Sequence, residues 1–171
     1  MFPVVFLTTS AKTMAMRKDL DTFAEWLRSD KDQYFEKALR DLRSILPDAI
    51  RAYDRTTAER LVDELISSFW YWDKRVLPAK SRKEMREEEF QQFLAEREKA
   101  RARRDALIEL LLLGREVTDH MRLKRHGEKK HRELARHLGE KIDECERQWD
   151  LIVEKRIAEG EQADRWVVRL R

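Results

Sequence analysis

The chain has 171 residues, of which 37 are Lys or Arg and 34 are Asp or Glu, so that 42% is charged while the net charge is only +3. Four glycines, three prolines and one cysteine exclude a collagen-like chain, a glycine-rich disordered protein and a disulfide-stabilised secreted scaffold. An apolar fraction of 42% suffices for a core and, with so many charges, is typical of a helical protein. Because Cys145 cannot form an internal disulfide, we expect the cytoplasm or another reducing intracellular compartment.

The sequence contains no apolar run long enough to cross a membrane. The best stretch, Leu107 to Leu113, is interrupted by Glu109, whereas a membrane span needs about 20 apolar residues. We therefore expect no membrane association. The apolar residues Val4 to Leu7 lack a preceding basic residue and a following cleavage site, so we expect no signal peptide. We expect residues 1–15 to form an N-terminal arm, and the alternative is an extension from an upstream start.

Apolar residues at helical spacing predict an N-terminal helical bundle over residues 16–80. The first stripe consists of Leu20, Phe23, Ala24 and Leu27, and the second of Phe35, Leu39, Leu42 and Leu46. Pro47 is expected to open a short separate segment, because helices tolerate proline in their first turn. Thr56-Thr57-Ala58-Glu59 has the pattern of a capping box, which predicts a third helix from about Thr57 to Val76.

A long charged helix is predicted next. Ser81-Arg82-Lys83-Glu84 repeats the capping-box pattern, and neither Gly nor Pro follows before Gly114. Of the 25 residues from Ser81 to Asp105, 15 are charged, so residues 81–106 are expected to form a connecting helix that is largely solvated. The apolar residues that follow are expected to lie in a core.

The C-terminal part has the spacing of a helix-turn-helix. That motif needs a small residue where its helices cross, a Gly in the turn and an apolar residue in the second helix. Ala135, Gly139 and Cys145 stand at these positions. The segment around Ala135 therefore resembles the helix-turn-helix family, and the alternative is a helical hairpin that turns at Gly139 and ends in a frayed tail.

The resemblance extends to a winged helix-turn-helix domain over residues 107–171. Ile157 would start a short strand, residues 158–165 would form a polar wing, and residues 166–170 would return as a β-branched strand. The predicted fold class is therefore all-α, with a helical bundle, a long charged helix and a C-terminal winged-helix-like unit that carries a small β-hairpin.

DNA groove reading does not follow from this resemblance. The second helix, Lys141 to Lys155, is rich in acidic residues, which phosphates repel. Since domains similar to winged helices can also bind proteins, we expect this helix to meet a protein partner or a second copy of the chain. The residues assigned to partner binding are Asp143, Glu144, Glu146 and Arg147.

Basic residues are concentrated in two segments, upstream and downstream of residue 105. Over residues 122–136, seven Lys or Arg stand against two Glu. Such segments can neutralise phosphates of DNA or RNA, although the alternative interpretation is an ordinary solvated helix surface. The residues assigned to nucleic-acid binding are Arg97, Arg101, Arg103, Arg104, Arg122, Lys124, Arg125, Lys129, Lys130 and Arg132.

Four histidines lie close together in the sequence, at His120, His126, His131 and His137. Glu128 and His131 have the spacing of one ligand pair in dimetal carboxylate proteins, but no second pair is visible. The spacing of Arg132 and His137 resembles that of a family of all-helical RNases, in which the Arg binds phosphate and the His acts on the ribose hydroxyl. No reactive constellation is complete, so we predict no catalytic residue, metal or cofactor.

These observations favour a non-enzymatic, nucleic-acid-associated protein, either a regulator or a subunit of a nucleoprotein complex, that contacts phosphates through basic helical segments. The first alternative is a protein–protein adaptor that uses the long helix and the acidic helix. The second alternative is a small helical RNase.

Overall fold

The computed structural model describes residues 20–77, 81–123 and 128–158, which are helical apart from short connections. In chain order the elements are α1 (residues 20–27), α2 (Asp32–Arg51), α3 (Arg55–Val76), a 3-10 turn (Arg82–Glu84), α4 (Glu87–Leu123) and α5 (Lys129–Ala158). The prediction of a mainly helical, all-α chain is confirmed. The predicted arm over residues 1–15 lies outside the described residues.

The helices α2 and α4 run in one direction, and α3 and α5 run in the other. Arg103 of α4 hydrogen-bonds Asp32 at the start of α2, whereas Arg156 near the end of α5 bonds Asp73 near the end of α3. The passages from α2 to α3 and from α4 to α5 therefore lie at the same end of the bundle. We call this end, made of residues 51–55, 116–123 and 128–132, the turn end.

Large aromatic side chains hold the core together. Phe69 of α3 meets Trp149 of α5 edge to face at 5.4 Å between ring centroids, and both rings are fully buried. Trp72 packs nearby, and its indole Nε1 donates a hydrogen bond of 2.7 Å to the carbonyl oxygen of Leu27. This bond satisfies the only polar group of a buried indole and fixes the end of α1 against α3.

The helix α4 combines two segments that differ in sequence character. It is 37 residues long and continuous, so the charged stretch and the apolar stretch that begins at Leu107 belong to one helix. The predicted helix start at Ser81 is wrong, because Ser81 makes no capping hydrogen bond and leads into the 3-10 turn. Glu87, Glu88 and Glu89 form the first turn of α4 instead, where acidic groups complement the helix dipole. None of the described helices is both long enough and apolar enough to span a bilayer.

Two predicted boundaries in the N-terminal half are also wrong. The helix α2 continues through Pro47 to Arg51, because proline costs one backbone hydrogen bond while its φ stays helical, and the flanking apolar residues are buried. The helix α3 begins at Arg55 rather than Thr57, since the carboxylate of Asp54 accepts the hydrogen bond of the Thr57 N–H at 3.2 Å. An Asp that precedes the Thr pair therefore serves as the N-cap.

The predicted turn at Gly139 and strand start at Ile157 are wrong, because both residues lie within the continuous helix α5. Residues 20–77, 81–123 and 128–158 contain no strand, which overturns the predicted β-hairpin as far as the structure describes it. The proposed wing beyond residue 158 lies outside the described residues. Gly139 serves helix packing instead, since a Cβ atom there would lie 3.4 Å from Thr118 Oγ1 of α4.

Candidate nucleic-acid interface

Six basic side chains of the described residues surround the turn end, and all six residues are exposed. They are Arg51 at the end of α2, Arg55 at the start of α3, Arg122 near the end of α4, and Lys129, Lys130 and Arg132 at the start of α5. The side chains of Lys129 and Lys130 are 87% and 75% exposed, so an external anion can reach them. Lys124 and Arg125, which were assigned to the same surface, lie outside the described residues.

The ion pairs of these basic residues are long and solvated. Lys130 Nζ lies 3.5 Å from a Glu128 carboxylate oxygen, and Arg122 Nη1 lies 3.9 Å from Asp119. Exposed pairs of this kind contribute about 0–1 kcal/mol to stability, so a phosphate can replace the carboxylate at little cost. Arg51 and Arg132 form no ion pair with any other described residue.

Arg103, which was assigned to nucleic-acid binding, is unsuited to it because the residue is only 4% exposed. Its guanidinium donates hydrogen bonds to Asp32 Oδ1 at 2.7 Å and to the carbonyl oxygen of Asp30 at 3.1 Å. The same group lies over the buried ring of Trp72 at 4.7 Å. Arg103 therefore fixes the connection between α1 and α2 to α4 and cannot reach an external phosphate.

Arg104 is likewise buried, in an ion cluster between three helices. Asp73 of α3 accepts hydrogen bonds from Arg104 Nη1 at 3.1 Å and from both terminal nitrogens of Arg156 at 3.0 Å. The ring of Trp149 lies 4.8 Å from one guanidinium carbon and 5.2 Å from the other. Because both cations are satisfied inside the protein, the assignment of Arg104 to nucleic acid is also corrected.

The two remaining upstream arginines, Arg97 and Arg101, are less deeply buried than Arg103 and Arg104. Arg97 is half-buried, and Arg101 pairs with Glu98 at 3.2 Å while its side chain stays 32% exposed. Neither belongs to the turn end, since both precede the part of α4 that packs in the core. Of the eight assigned residues that the structure describes, four are thus exposed at the turn end, two are partly buried and two are buried.

The acidic residues assigned to partner binding do not form one unpaired surface. On the α4 side, Arg115 lies 3.0 Å from Glu146 and 3.5 Å from Asp143, so these two carboxylates help to join α4 to α5. Glu144 and Arg147 are exposed and pair with each other at 2.8 Å. This hydrogen bond from Arg147 lowers the pKa of Glu144.

His137 belongs to a polar cluster between α3 and α5. Glu59 Oε1 lies 3.1 Å from His137 Nε2 and 3.2 Å from Lys141 Nζ, and Lys141 also donates to Asp63 at 2.8 Å. The hydrogen bonds from His137 and Lys141 lower the pKa of Glu59. No hydrogen bond or ion pair joins Arg132 to His137, although both residues are described.

Glu128 and His131, the suggested metal-ligand pair, approach within 3.5 Å of each other. In the part of the chain that the structure describes, no three His, Cys, Asp or Glu side chains are grouped closely enough to bind a metal ion. The main contact of His131 is aromatic, because its ring stacks face to face on Tyr53 with an interplanar angle of 5°.

Tyr53 has an unusual backbone conformation for its residue type. Its φ is 58°, and no other non-glycine residue of the described ranges has a positive φ. This conformation costs about 1–3 kcal/mol for an ordinary side chain. It places a Tyr ring that is 41% exposed beside the basic residues of the turn end.

A cavity of about 460 Å³ opens next to this ring, between the α2–α3 turn and the last turns of α4. Its apolar wall consists of Leu113, Val117 and Met121, and its polar wall of Arg51, Tyr53, Glu116 and His120. We call it the turn-end cavity. Sequence analysis missed it because Arg51 and Tyr53 meet α4 only through the tertiary fold, and the helical spacing of Leu113, Glu116, Val117 and His120 was the one available signal.

No protein-family model, curated protein or solved structure matches this chain. The resemblance to winged helix-turn-helix domains is therefore neither supported nor refuted by a relative.

Proposed function

We propose that this protein binds nucleic acid by contacting backbone phosphates at the turn end. The observation that carries the proposal is the exposure of all six basic side chains there, among the described residues, while Arg103 and Arg104 are buried. In the sequence, Lys124 and Arg125 lie between Arg122 and Lys129, which are two of these six residues. A surface of this kind gains affinity for polyanions by releasing the counterions that phosphates hold.

The proposed binding is general rather than sequence-specific. Phosphate contacts position a protein on a strand but carry no information about the bases. The carboxylates of Glu128 and Glu133 lie among the basic residues and oppose any close fit into a groove. The function that follows is that of a regulator or a subunit of a nucleoprotein complex.

The test uses one variant in which four basic residues are replaced by alanine. Three of them belong to the turn end and the fourth lies between α4 and α5 in the sequence: Lys129→Ala, Lys130→Ala, Arg132→Ala and Lys124→Ala. Fluorescence anisotropy then gives the affinity for unrelated RNA and DNA oligonucleotides over a series of salt concentrations. We expect weaker binding to every sequence and a salt slope that is smaller by about 3, since each lost contact removes about 0.7–0.9.

A matched control removes four exposed basic residues elsewhere, as Arg40→Ala, Lys74→Ala, Lys83→Ala and Arg86→Ala. This variant has the same net charge as the first but keeps the turn end, so it should retain the salt slope. Equal losses in both variants would show that net charge alone is responsible. Unchanged binding in the first variant would favour the protein–protein adaptor.

RNA cleavage is not part of the proposal. A general base must reach the proton that it abstracts, whereas His137 Nε2 is held 3.1 Å from Glu59 Oε1. We expect no metal-independent cleavage of a labelled RNA by the native protein. Cleavage that disappears in His137→Ala would instead establish the RNase alternative.

A further inference from the structure

The turn-end cavity has the size of a small-molecule site. Its volume of about 460 Å³ falls within the range of roughly 300–1,000 Å³ for ligand sites. Apolar side chains of α4 form one wall, and the ring of Tyr53 forms another. A flat, partly apolar ligand fits such walls better than a compact ion does.

The lining of the cavity carries charges of both signs, on two exposed residues. Glu116 places a carboxylate there, which repels a phosphate group and accepts hydrogen bonds from amino groups. Arg51, which forms no ion pair with another described residue, offers a guanidinium that attracts a phosphate. A ligand that suits both has an uncharged ring with an amino group, joined to an anionic group.

One basic residue of the turn end, Arg51, lines the cavity itself. Others are sequence neighbours of residues at the cavity: Arg122 follows the lining residue Met121, and Lys130 and Arg132 flank His131, which stacks on Tyr53. A strand that contacts these basic residues through its phosphates therefore comes close to the cavity.

We infer that the turn-end cavity binds one unpaired base of a nucleic-acid strand, with an exocyclic amino group of the base towards Glu116 and its phosphate at Arg51. This inference rests on the proposed function and narrows its ligand to single strands that contain cytosine, adenine or guanine. A duplex keeps its bases stacked and cannot supply one without unpairing it.

The first experiment compares a cytosine oligonucleotide with its duplex of the same length by fluorescence anisotropy at equal salt. Phosphates alone favour the duplex, which has the higher charge density. We expect the native protein to bind the single strand at least about fivefold more tightly, because base–aromatic contact contributes about 1–3 kcal/mol. The variant Tyr53→Gly should lose this preference.

Tyr53→Gly removes the ring without demanding a strained backbone, since glycine adopts a φ of 58° at no steric cost. Thermal unfolding will verify that the variant is folded. The control is Tyr34→Ala, because Tyr34 is 36% exposed but stacks on Trp26, away from the turn end. This control should keep the preference for the single strand.

The second experiment tests whether Glu116 binds the exocyclic amino group of the base. The native protein should bind a cytosine oligonucleotide several-fold more tightly than a thymine oligonucleotide, which lacks the exocyclic amino group. Glu116→Gln should abolish that difference, because a neutral amide accepts this hydrogen bond more weakly than a carboxylate. Equal affinity of the native protein for the two strands would contradict the role of Glu116.

Different results would refute the base-binding inference and the proposed function. If the native protein shows no single-strand preference but the fourfold turn-end variant still loses salt-dependent binding, phosphate contact stands and base binding is wrong. If the native protein binds no oligonucleotide in a salt-dependent manner, both are wrong. Retained preference in Tyr53→Gly would also overturn the inference.

Discussion

Glu59 connects α3 to α5 because one of its carboxylate oxygens contacts two groups of the neighbouring helix. His137 and Lys141 lie one turn apart on α5, and both reach Glu59 Oε1. Burial lowers the pKa of Lys141, but the hydrogen bonds to Asp63 and Glu59 outweigh it, so that the pKa of Lys141 is raised. The cluster therefore favours the charged forms of both Glu59 and Lys141.

The pKa of Glu59 predicts a pH-dependent stability. Its pKa is lower in the folded protein than the ordinary 4.5, so the charged carboxylate stabilises the fold above pH 4.5, and this stabilisation disappears as the pH falls through the folded pKa. We expect Glu59→Gln to lower the free energy of unfolding by about 0.5–1 kcal/mol near neutral pH and by less at pH 3. Urea unfolding at several pH values measures this difference.

Glu140→Gln is the matched control for Glu59→Gln. Glu140 also lies on the bundle surface, with a side chain that is 68% exposed, and its one ion-pair partner among the described residues is Arg136, at 3.9 Å. Its substitution should change stability little at any pH. A difference between native protein and Glu59→Gln that grows towards pH 3 would contradict the assigned hydrogen bonds.

Cys145 should be chemically inert in the folded protein. The residue is 3% exposed, and burial, with the nearby charge of Glu146, raises the pKa of the thiol to about 12. At pH 8 the reactive thiolate is then a fraction of about 10⁻⁴. We expect iodoacetamide to label the protein rapidly only in denaturant, as measured by mass spectrometry, and fast labelling of the native protein would show that Cys145 is accessible.

At the scale of elements, two glycines determine how closely α4 and α5 approach. Gly114 of α4 faces Ile142, and Gly139 of α5 faces Thr118, so each helix has a small residue where the other crosses it. A side chain longer than that of alanine at either position would separate the helices. The crossing explains why both helices continue through glycine despite its low helix propensity.

The spacing at Gly139 predicts opposite effects for two substitutions. Gly139→Ala should stabilise the protein by about 0.5–1 kcal/mol, because alanine favours the helix and the added Cβ would meet Thr118 Oγ1 at an ordinary 3.4 Å. Gly139→Leu should destabilise it by about 1–3 kcal/mol through overpacking. Urea unfolding followed by circular dichroism measures both, and a loss of stability in Gly139→Ala would contradict the described crossing.

Sequence periodicity predicted the helices but not the partners that fix their ends. The stripe from Phe35 to Leu46 is buried as expected, because a 3.6-residue repeat is a local property. The cap of α3 was misplaced because Asp54 and Thr56 are both suitable caps, and local sequence does not distinguish them. Gly139 was misassigned because the same small residue suits a turn and a helix crossing.

The candidate site was predictable only in part for a similar reason. Lys129 and Lys130 were expected to be exposed, and they are. The burial of Arg104 depends on Asp73, which lies 31 residues away in sequence, and no pattern within α4 reveals that contact. The turn-end cavity likewise requires side chains from two separate parts of the chain.

At the scale of the whole molecule, the cluster of Asp73, Arg104 and Arg156 joins three helices at the end opposite the turn end. The carboxylate of Asp73 is shared by two guanidinium groups, and all three residues are buried. Buried ions of this kind are costly to desolvate and are tolerated only when each is paired. The three helices α3, α4 and α5 therefore have to be in place together.

Loss of this carboxylate should be among the most damaging single changes. Asp73→Asn leaves the buried Arg156 without a charged partner among the described residues and leaves Arg104 with only Asp105, at 3.5 Å. We expect it to lower the free energy of unfolding by about 3–5 kcal/mol. Urea unfolding provides the measurement. Glu98→Gln serves as the control, because its pair with Arg101 is 71% exposed on the Glu side and should contribute less than about 1 kcal/mol.

A small effect of Asp73→Asn, similar to that of the control, would mean that water or a rearranged side chain compensates the two arginines. Replacing all three residues together by apolar ones of similar size should be much less harmful than Asp73→Asn, because no unpaired charge then remains. Comparing Asp73→Asn with this triple variant separates the effect of lost charge pairing from the effect of lost packing.

The position of Arg156 has a consequence for biosynthesis. Arg156 lies 83 residues after the carboxylate that it pairs with, and Trp149, which completes the aromatic core, also belongs to the last described helix. A nascent chain that has emerged only through α4 thus exposes the apolar surface that Trp149 and the rest of α5 cover in the native protein. Contacts this distant form late and slow the final step of folding. The native state therefore cannot form before α5 has been synthesised, and the unfinished intermediate is the species that chaperones would protect from aggregation.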